Sequence, residues 1–272
     1  MHLEPFKERI IWHSDEIKDL EEKTFEHLQK QNQRKQNPYC ENLLRKNASL
    51  PLWQSTHLIS TNAVQSVVAG VFHTTKEVIQ AGLLGVGKKT DTTTISGAFL
   101  LHKKNSSQFY LLADCGVNIE PSLEDIISIA EESLCTWTQL AINKEKPRLV
   151  FLSFSSKKSA NSKSSEKMAL ATKHFQKKYP EIECDGELQF DAAVNSEIRQ
   201  KKNPTSPLTG IPNIFIFPNL DAGNIAYKIL NQWGDFEAYG PLLQGLRLPF
   251  CDLSRGAKTD DIVMTSYLNL MR

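Results

Sequence analysis

The sequence predicts an α/β fold in which a mainly parallel β-structure is covered by helices. Short apolar strand-like runs alternate with longer segments of helical periodicity from Ile95 onward, and this alternation is typical of parallel sheets. A chain of 272 residues is long enough for two domains or for one large α/β unit. Polar loops follow several of the predicted strands, where α/β folds place their ligands.

The composition excludes several classes of function. Thirty-two Lys and Arg residues balance 31 Asp and Glu residues, for a net charge of +1, so nothing indicates a nucleic-acid or membrane partner. The five cysteines are scattered and form no C-x-x-C pair, which favours a reduced protein without a zinc site. No apolar run approaches the roughly 18 residues of a membrane span, and the N-terminus lacks a signal-peptide pattern. We therefore expect a cytoplasmic protein that binds no metal.

The first predicted elements are a short strand over residues 9–12 and a helix over residues 15–36. Val64, Val67 and Val68 predict a buried strand that ends at Gly70, and residues 73–77 open the next helix. Backbone N–H groups and hydroxyls at a helix start that follows a strand are typical of phosphate sites. Thr74 and Thr75 are therefore candidate phosphate ligands.

Residues 82–89 contain the spacing of a nucleotide-binding P-loop, G-x-x-x-x-G-K. Lys89 stands where that motif needs a serine or threonine for magnesium, and the segment follows a helical pattern rather than a strand. We therefore predict a helix C-terminus and an interdomain linker here, not a nucleotide site.

The remainder of the chain up to Trp233 alternates regularly between predicted strands and helices. The strands are predicted over residues 95–101, 109–113, 148–154 and 213–217, and the helices over residues 123–141, 165–178 and 224–233. The polar loops that follow strands lie at residues 114–118, 153–157 and 218–224. The Ser/Lys-rich residues 155–167 are predicted to be a mobile loop, and residues 240–245 a turn leading into an apolar run.

Residues 252–261 place a Ser-Arg-Gly sequence on a loop that enters a helix. Ser254 supplies a hydroxyl and Arg255 a fixed positive charge, a combination that suits an oxyanion. If the segment is helical, Asp261 returns to the same face about two turns later. A structural interpretation stays open, in which Asp252 and Ser254 cap the helix and Asp260 and Asp261 complement its dipole.

Several motifs in register resemble the phosphate acetyltransferases and the related phosphate butyryltransferases. They lie at residues 185–193, 217–228, 240–245 and 252–256, and the resemblance runs from about Ile10 to the C-terminus. It implies a two-domain fold related to the isocitrate and isopropylmalate dehydrogenases. One discontinuous domain would comprise residues 1–93 and 246–272, the inserted domain residues 94–245, and the active-site cleft would lie between them. A homodimer is also implied.

The implied reaction converts acetyl phosphate and coenzyme A into acetyl-CoA and phosphate by direct thiol attack in a ternary complex. By resemblance Asp261 accepts the thiol proton, Arg255 binds the phosphate, and Ser254 hydrogen-bonds the developing charge or the thiol. The substrate-binding residues would be Thr74, Thr75, Lys76, Asn224, Lys228 and Gln244. Coenzyme A or acetyl-CoA is a substrate, and no tightly bound cofactor is implied. With ordinary pKa values of about 3.9 for an aspartate and about 8.5 for a thiol, full proton transfer costs roughly 6 kcal/mol, so we expect a desolvated base or a concerted transfer.

The sequence departs from the family pattern in three places. Gln80 replaces an arginine, and Lys76, one helical turn earlier, is a candidate substitute for its charge. A Lys-Gly-Ser segment is altered to residues 157–159, Lys-Lys-Ser. The family's first strand, helix and strand have no counterpart, which implies a shortened N-terminus. Two interpretations therefore stay open: a working phosphate acetyltransferase, or a weak or inactive paralogue that binds acetyl-CoA or acyl phosphate as a regulatory module.

Overall fold

The computed structural model describes residues 19–272, so the predicted strand over residues 9–12 and the first part of the helix over residues 15–36 lie outside the described residues. The helices of the described part are α1 Leu20–Asn32, α2 Glu41–Ala48, α3 Pro51–Ser60, α4 Thr75–Ala81, α5 Leu123–Leu140, α6 Lys163–Lys178, α7 Phe190–Val194, α8 Ser196–Lys202, α9 Leu220–Trp233 and α10 Thr259–Leu270. The strands are β1 Val67–Gly70, β2 Ser96–Lys103, β3 Phe109–Ala113, β4 Arg148–Leu152, β5 Glu183–Leu188, β6 Ile214–Ile216, β7 Phe236–Gln244 and β8 Phe250–Leu253.

The eight strands form one continuous sheet in the order β1-β8-β7-β2-β3-β6-β4-β5. The α/β class is confirmed, but the sheet is mixed rather than mainly parallel. Strand β2 is antiparallel to both of its neighbours, β3 and β7, and β7 is antiparallel to β8. The connection over residues 104–108 is too short for a parallel crossover, so β2 and β3 must pair as a hairpin. Parallel pairing occurs at the two ends of the sheet. At one end β1 pairs with β8, and at the other end β3 pairs with β6, β6 with β4, and β4 with β5.

Both faces of the sheet are covered, and the alternation of side chains along β2 explains how. Leu100 belongs to the core under α5 and α6, whereas Phe99 and Leu101 belong to the core under α7 and α9. Successive side chains of a strand point to opposite faces, so a strand with buried residues throughout needs helices on both sides. A third core, formed by α1 to α4 with β1 and β8, closes the end of the sheet where β1 is the edge strand.

Local periodicity predicted most elements between β1 and α9 well. Strand β3 has the predicted bounds, and α5 ends at Leu140 because Ala141 adopts a left-handed conformation. Helix α9 begins earlier than predicted, at Leu220, because the Asn219 side chain accepts a hydrogen bond from the Ala222 N–H at 3.0 Å. The Ser/Lys-rich loop extends only to Ser162, which caps α6 through Ser165.

The predicted turn over residues 240–245 is wrong. Gly240 to Gln244 form the second half of β7, and this half is buried along its length. Leu242 and Leu243 pair with β2, so sheet hydrogen bonding overrides the local Gly-Pro signal. The chain turns only at Gly245, whose φ of +86° suits a glycine.

The P-loop-like residues 82–89 continue α4 as a π-helical turn, Gly82–Val86. The predicted helix C-terminus is therefore confirmed. The Lys88 ammonium donates to the Thr93 carbonyl at 2.6 Å, and Lys89 forms a 2.8 Å ion pair with Glu132. Both lysines are committed to contacts within the chain.

Candidate active site

The parallel strands β1 and β8 end side by side, and the segments that follow them enclose a cavity of about 210 Å³. Among the residues that line it are Thr74, Thr75, Asn224, Asp252, Ser254 and Arg255. These six side chains come from three separate parts of the chain: the start of α4, the first turns of α9, and the end of β8 with the loop that follows it. The carboxyl ends of parallel strands are where α/β folds bind ligands. The structure therefore brings five of the predicted site residues together around one cavity, with Asp252 beside them.

Gly70 makes this arrangement possible. Its φ is +108°, and a Cβ built on it would lie 2.1 Å from the Leu253 carbonyl oxygen. No larger residue fits there without separating β1 from β8. The close approach places the start of α4 beside the loop that carries Ser254.

The Ser-Arg-Gly loop presents its charge at the mouth of the cavity. Ser254 and Arg255 are exposed, and the Gly256 N–H donates to Ser254 Oγ at 3.3 Å. Within residues 19–272 the Arg255 guanidinium forms no ion pair or hydrogen bond. Its five N–H groups are therefore available to an oxyanion.

The hydroxyls at the start of α4 already have partners. Thr74 forms a reciprocal cap with Glu77, and its hydroxyl donates to Glu77 Oε2 at 2.9 Å. These hydrogen bonds lower the pKa of Glu77. The Thr75 hydroxyl donates to Asp252 Oδ2 at 2.6 Å. Neither hydroxyl proton is directed at a ligand in this arrangement.

Asp252 is the least expected member of the site. It is 2% exposed, and its Oδ1 atom is buried without a hydrogen-bond partner. Burial raises the pKa of this carboxyl group, and the Thr75 hydrogen bond only partly opposes that effect. Asp252 belongs to β8, while the cap of α10 lies at Lys258, so the interpretation of Asp252 as a helix cap is wrong.

The opposite wall of the cavity is formed by β2, α9 and the segment after β3. The Asn224 amide donates to the Cys115 carbonyl at 3.0 Å, and the Tyr227 ring stacks on Phe99 with 4.0 Å between ring centroids. Burial raises the pKa of Tyr227 to about 12 and that of the Cys115 thiol well above its usual value. Both groups are therefore protonated at neutral pH. A polar loop after β3 was predicted from sequence, but the Phe99 to Tyr227 contact has no sequence signal.

Asp261 lies outside this cavity. Its carboxylate accepts from the Lys258 N–H at 2.8 Å, and it lines a neighbouring cavity of about 450 Å³ with Glu237 and Tyr239. The argument from two helical turns fails because α10 begins only at Thr259. Asp261 lies in the first turn of α10, where a carboxylate complements the helix dipole.

The other three predicted binding residues do not line the 210 Å³ cavity. Lys76 is exposed on α4, and Lys228 is exposed with its ammonium 6.0 Å from the centre of the Tyr227 ring. Gln244 is fully buried, and its side-chain amide group forms hydrogen bonds with Ser96, Ser133 and Thr136. Gln244 thus lies in the interior between β7 and α5.

The fold and the cavity together define an α/β protein with an anion-suited site at the carboxyl ends of two parallel strands. The chain belongs to the family described as phosphate acetyl/butaryl transferase, whose profile matches residues 9–269. This confirms the resemblance inferred from the sequence motifs.

Comparison with individual proteins agrees with this membership. The chain is 41% identical over 207 residues to the phosphate acetyltransferase of Bacillus subtilis, an alignment that covers 76% of this chain and 62% of the relative. A phosphotransacetylase crystal structure from Streptococcus pyogenes superposes with a TM-score of 0.84 at 29% identity, covering 98% of this chain and 81% of that one.

A more distant similarity bears on the fold alone. A 4-hydroxythreonine-4-phosphate dehydrogenase from Klebsiella pneumoniae superposes with a TM-score of 0.52 at 13% identity, over 85% of this chain and 71% of that one. It shows that the chain shares the fold of this dehydrogenase. Within residues 19–272, no helix is long and apolar enough to span a bilayer, and no cluster of three or more His, Cys, Asp or Glu residues could hold a metal ion.

Proposed function

We propose that this protein transfers an acetyl group between acetyl phosphate and coenzyme A. The aligned part of the chain spans 62% of the length of the Bacillus subtilis phosphate acetyltransferase, so the activity of the whole relative is carried over as a proposal. The observation that carries it is the pairing of Ser254 with an uncommitted Arg255 at the mouth of a cavity. A fixed guanidinium without an internal partner suits the phosphate of an acyl phosphate.

In the proposed reaction the thiol sulfur attacks the acetyl carbonyl carbon. A carbon–sulfur bond forms, the carbon–oxygen bond to phosphate breaks, and phosphate leaves with the electron pair of that bond. Arg255 stabilises the charge that develops on the leaving phosphate, and Ser254 donates to an oxygen of the same group or to the sulfur. The thiol proton passes to a base.

We retain Asp261 as the proposed base. The loop over residues 254–258 separates the smaller cavity from the larger one that Asp261 lines. Acyl phosphate would occupy the smaller cavity and the coenzyme A thiol would enter from the larger. A thiol on that route passes Asp261 before it reaches the carbonyl carbon. Lys76 and Lys228, both exposed, would supply positive charge to the phosphates of the substrates.

We also propose that the chain forms two domains, one of residues 1–93 and 246–272 and the other of residues 94–245, and that the substrates bind in the cleft between them. The free, unpaired state of all five cysteines supports a reducing, cytoplasmic location. Coenzyme A acts as substrate in this scheme, and no tightly bound cofactor takes part.

We propose that the protein is a homodimer. Helix α9 exposes Ile225, Ile229 and Trp233, and an apolar groove of about 500 Å³ beside it is lined by Phe190 and Phe236. Soluble monomers rarely expose contiguous apolar surface of this kind, and a second copy of the same face would cover it.

A second candidate function is a binding module without turnover. Two observations favour it: the Thr74 and Thr75 hydroxyl protons are held by carboxylates, and Asp261 lies outside the Arg255 cavity. Such a protein would bind acetyl-CoA or acyl phosphate in a regulatory role.

The deciding experiment is acetyl-CoA formation from acetyl phosphate and coenzyme A by the purified wild type, Arg255→Ala and Asp261→Asn. Arg34→Ala, which removes an exposed arginine just after the C-terminal end of α1, is the matched control. We expect turnover by the wild type and the control, and losses of about a hundredfold or more in the two site variants. A wild type without turnover that still binds acetyl-CoA in calorimetry would favour the binding module.

A further inference from the structure

Asp252 and Thr75 form a contact in the small cavity whose proton can be held in two ways. The two side-chain oxygens lie 2.6 Å apart, which fits a strong O–H···O hydrogen bond in either direction. If Thr75 donates to an ionised Asp252, its only proton is used. If a protonated Asp252 donates to Thr75 Oγ1, the Thr75 proton is free to point into the cavity.

The surroundings of Asp252 favour the protonated arrangement. Asp252 is 2% exposed, Oδ1 has no hydrogen-bond partner, and a Cβ on Gly70 would lie only 2.8 Å from that oxygen. Among residues 19–272 no ion pair reaches this carboxyl group. A buried oxygen without a donor is far better tolerated on a neutral acid than on a carboxylate.

The charged and titratable groups around Asp252 determine how readily its carboxyl group is protonated. Strand β1 contributes none, and Cys251 lies on the opposite face of β8. The groups that face the carboxyl from the other elements or share its cavity are His73, Cys115, Tyr227 and Arg255, with Lys76 and Glu77 exposed on α4 and Asp260 and Asp261 around the neighbouring cavity. The Thr75 hydrogen bond and the electrostatic interaction with His73 oppose protonation of Asp252. A bound phosphate would neutralise Arg255 while bringing negative charge toward Asp252, which favours protonation.

We propose that Asp252 is a positioning residue that carries a proton when the cavity holds a phosphate group, donates that proton to Thr75 Oγ1, and so turns the Thr75 hydroxyl toward a phosphate oxygen. This inference rests on the proposed function, because it places the phosphate of the substrate or product in this cavity. Phosphate binding is then linked to proton uptake by Asp252. Burial, which raises the pKa of Asp252 even without a ligand, acts in the same direction.

The proposal fixes the sign of the pH dependence. The phosphate complex holds the Asp252 proton more tightly than the free protein does. Affinity is therefore independent of Asp252 at pH values below the pKa of the free protein, and falls as the pH rises above it, by up to about tenfold per pH unit. Asp252→Asn supplies an amide N–H to Thr75 at every pH and removes this fall.

The test is calorimetric binding of inorganic phosphate to the wild type, Asp252→Asn, Thr75→Val and the double variant, between about pH 6 and about pH 9. The titration of phosphate itself is common to all four proteins and cancels in affinity ratios. We expect Asp252→Asn to bind phosphate about tenfold more tightly than the wild type at the upper end of this range. The Thr75→Val background should abolish that difference, because Asp252 acts through the Thr75 hydroxyl. Repeating the titrations in buffers of different ionisation enthalpy counts the proton taken up.

Thermal unfolding of each variant verifies that it is folded, and Thr75→Ser, which keeps the hydroxyl, should restore the wild-type pH profile. The proposal is overturned if phosphate affinity has the same pH dependence in the wild type and in Asp252→Asn. It is also overturned if a folded Asp252→Asn protein binds no phosphate at any pH tested. Turnover with phosphate binding but equal pH profiles would reject this inference alone. Absence of both turnover and phosphate binding in the wild type would reject the proposed function with it.

Discussion

The Gln244 side-chain amide donates to the Thr136 hydroxyl at 2.9 Å, in the interior between β7 and α5. Its carbonyl oxygen accepts from Ser96 and Ser133 at 3.0 and 3.2 Å. One side chain thus satisfies three buried hydroxyl groups from two other elements. Removing it takes away the hydrogen-bond partner of the Ser96 and Thr136 hydroxyls, whereas Ser133 still donates to the Ile129 carbonyl at 2.7 Å, and it opens a cavity.

We therefore expect Gln244→Ala to lower the free energy of unfolding by about 2 to 4 kcal/mol. Urea denaturation measures this loss, and Gln232→Ala, at an exposed position on α9, is the control expected to change stability by less than about 0.5 kcal/mol. The sequence resemblance predicts a substrate contact for Gln244 instead. A Gln244→Ala protein of unchanged stability with weakened coenzyme A binding would support that role.

Asp252 gives stability a pH dependence of definite sign. Its pKa is raised in the folded protein above the ordinary value of 3.8, so the folded state holds a proton that the unfolded state has released. Stability from this group is therefore full at low pH and is lost as the pH rises from about 4 through the raised pKa. Each tenfold change in its acid dissociation constant is about 1.4 kcal/mol.

Asp252→Asn removes this loss, because the amide cannot ionise. We expect the variant to be more stable than the wild type at about pH 7 and the advantage to shrink toward about pH 4. Urea unfolding at a series of pH values measures both curves. A variant that is less stable than the wild type at neutral pH would mean that an ionised Asp252 is needed by the fold.

Gln80 and Lys76 lie one turn apart on α4, close to the cavity that Thr74 and Thr75 line. If the missing family arginine limits phosphate binding, Gln80→Arg should raise kcat/KM for acetyl phosphate by about ten- to a hundredfold. Lys76→Ala should lower kcat/KM in the wild type. In a protein that already carries Gln80→Arg, the same substitution should change kcat/KM little, because the new arginine would supply the cation that Lys76 provides. Lys46→Ala, at an exposed lysine on α2, is the control. No response to either substitution would remove both residues from the phosphate site.

The sequence predicted the elements whose signals are local. Strand β3 and helix α5 follow their periodicity, and the Ser-Arg-Gly loop enters a helix as expected. Residues 240–245 were misassigned because pairing with β2 decides their conformation. The contact of Thr75 with Asp252 joins positions 177 residues apart. No local pattern distinguishes a buried, partnerless carboxylate from a helix cap, so that part of the site could not be predicted.

The proposed homodimer can be tested at the exposed apolar side of α9. Ile229 is 49% exposed and Trp233 is 86% exposed, beside the apolar groove that contains Phe190. A charge placed in a desolvated interface costs several kcal/mol, whereas the same charge on a wetted surface costs little. We expect light scattering to find a dimer for the wild type and a monomer for Ile229→Glu. Gln232→Glu adds the same charge at an exposed polar position of the same helix and should stay dimeric. An Ile229→Glu protein that remains a dimer would place the interface elsewhere. A wild type that is monomeric at all concentrations would rule out the homodimer.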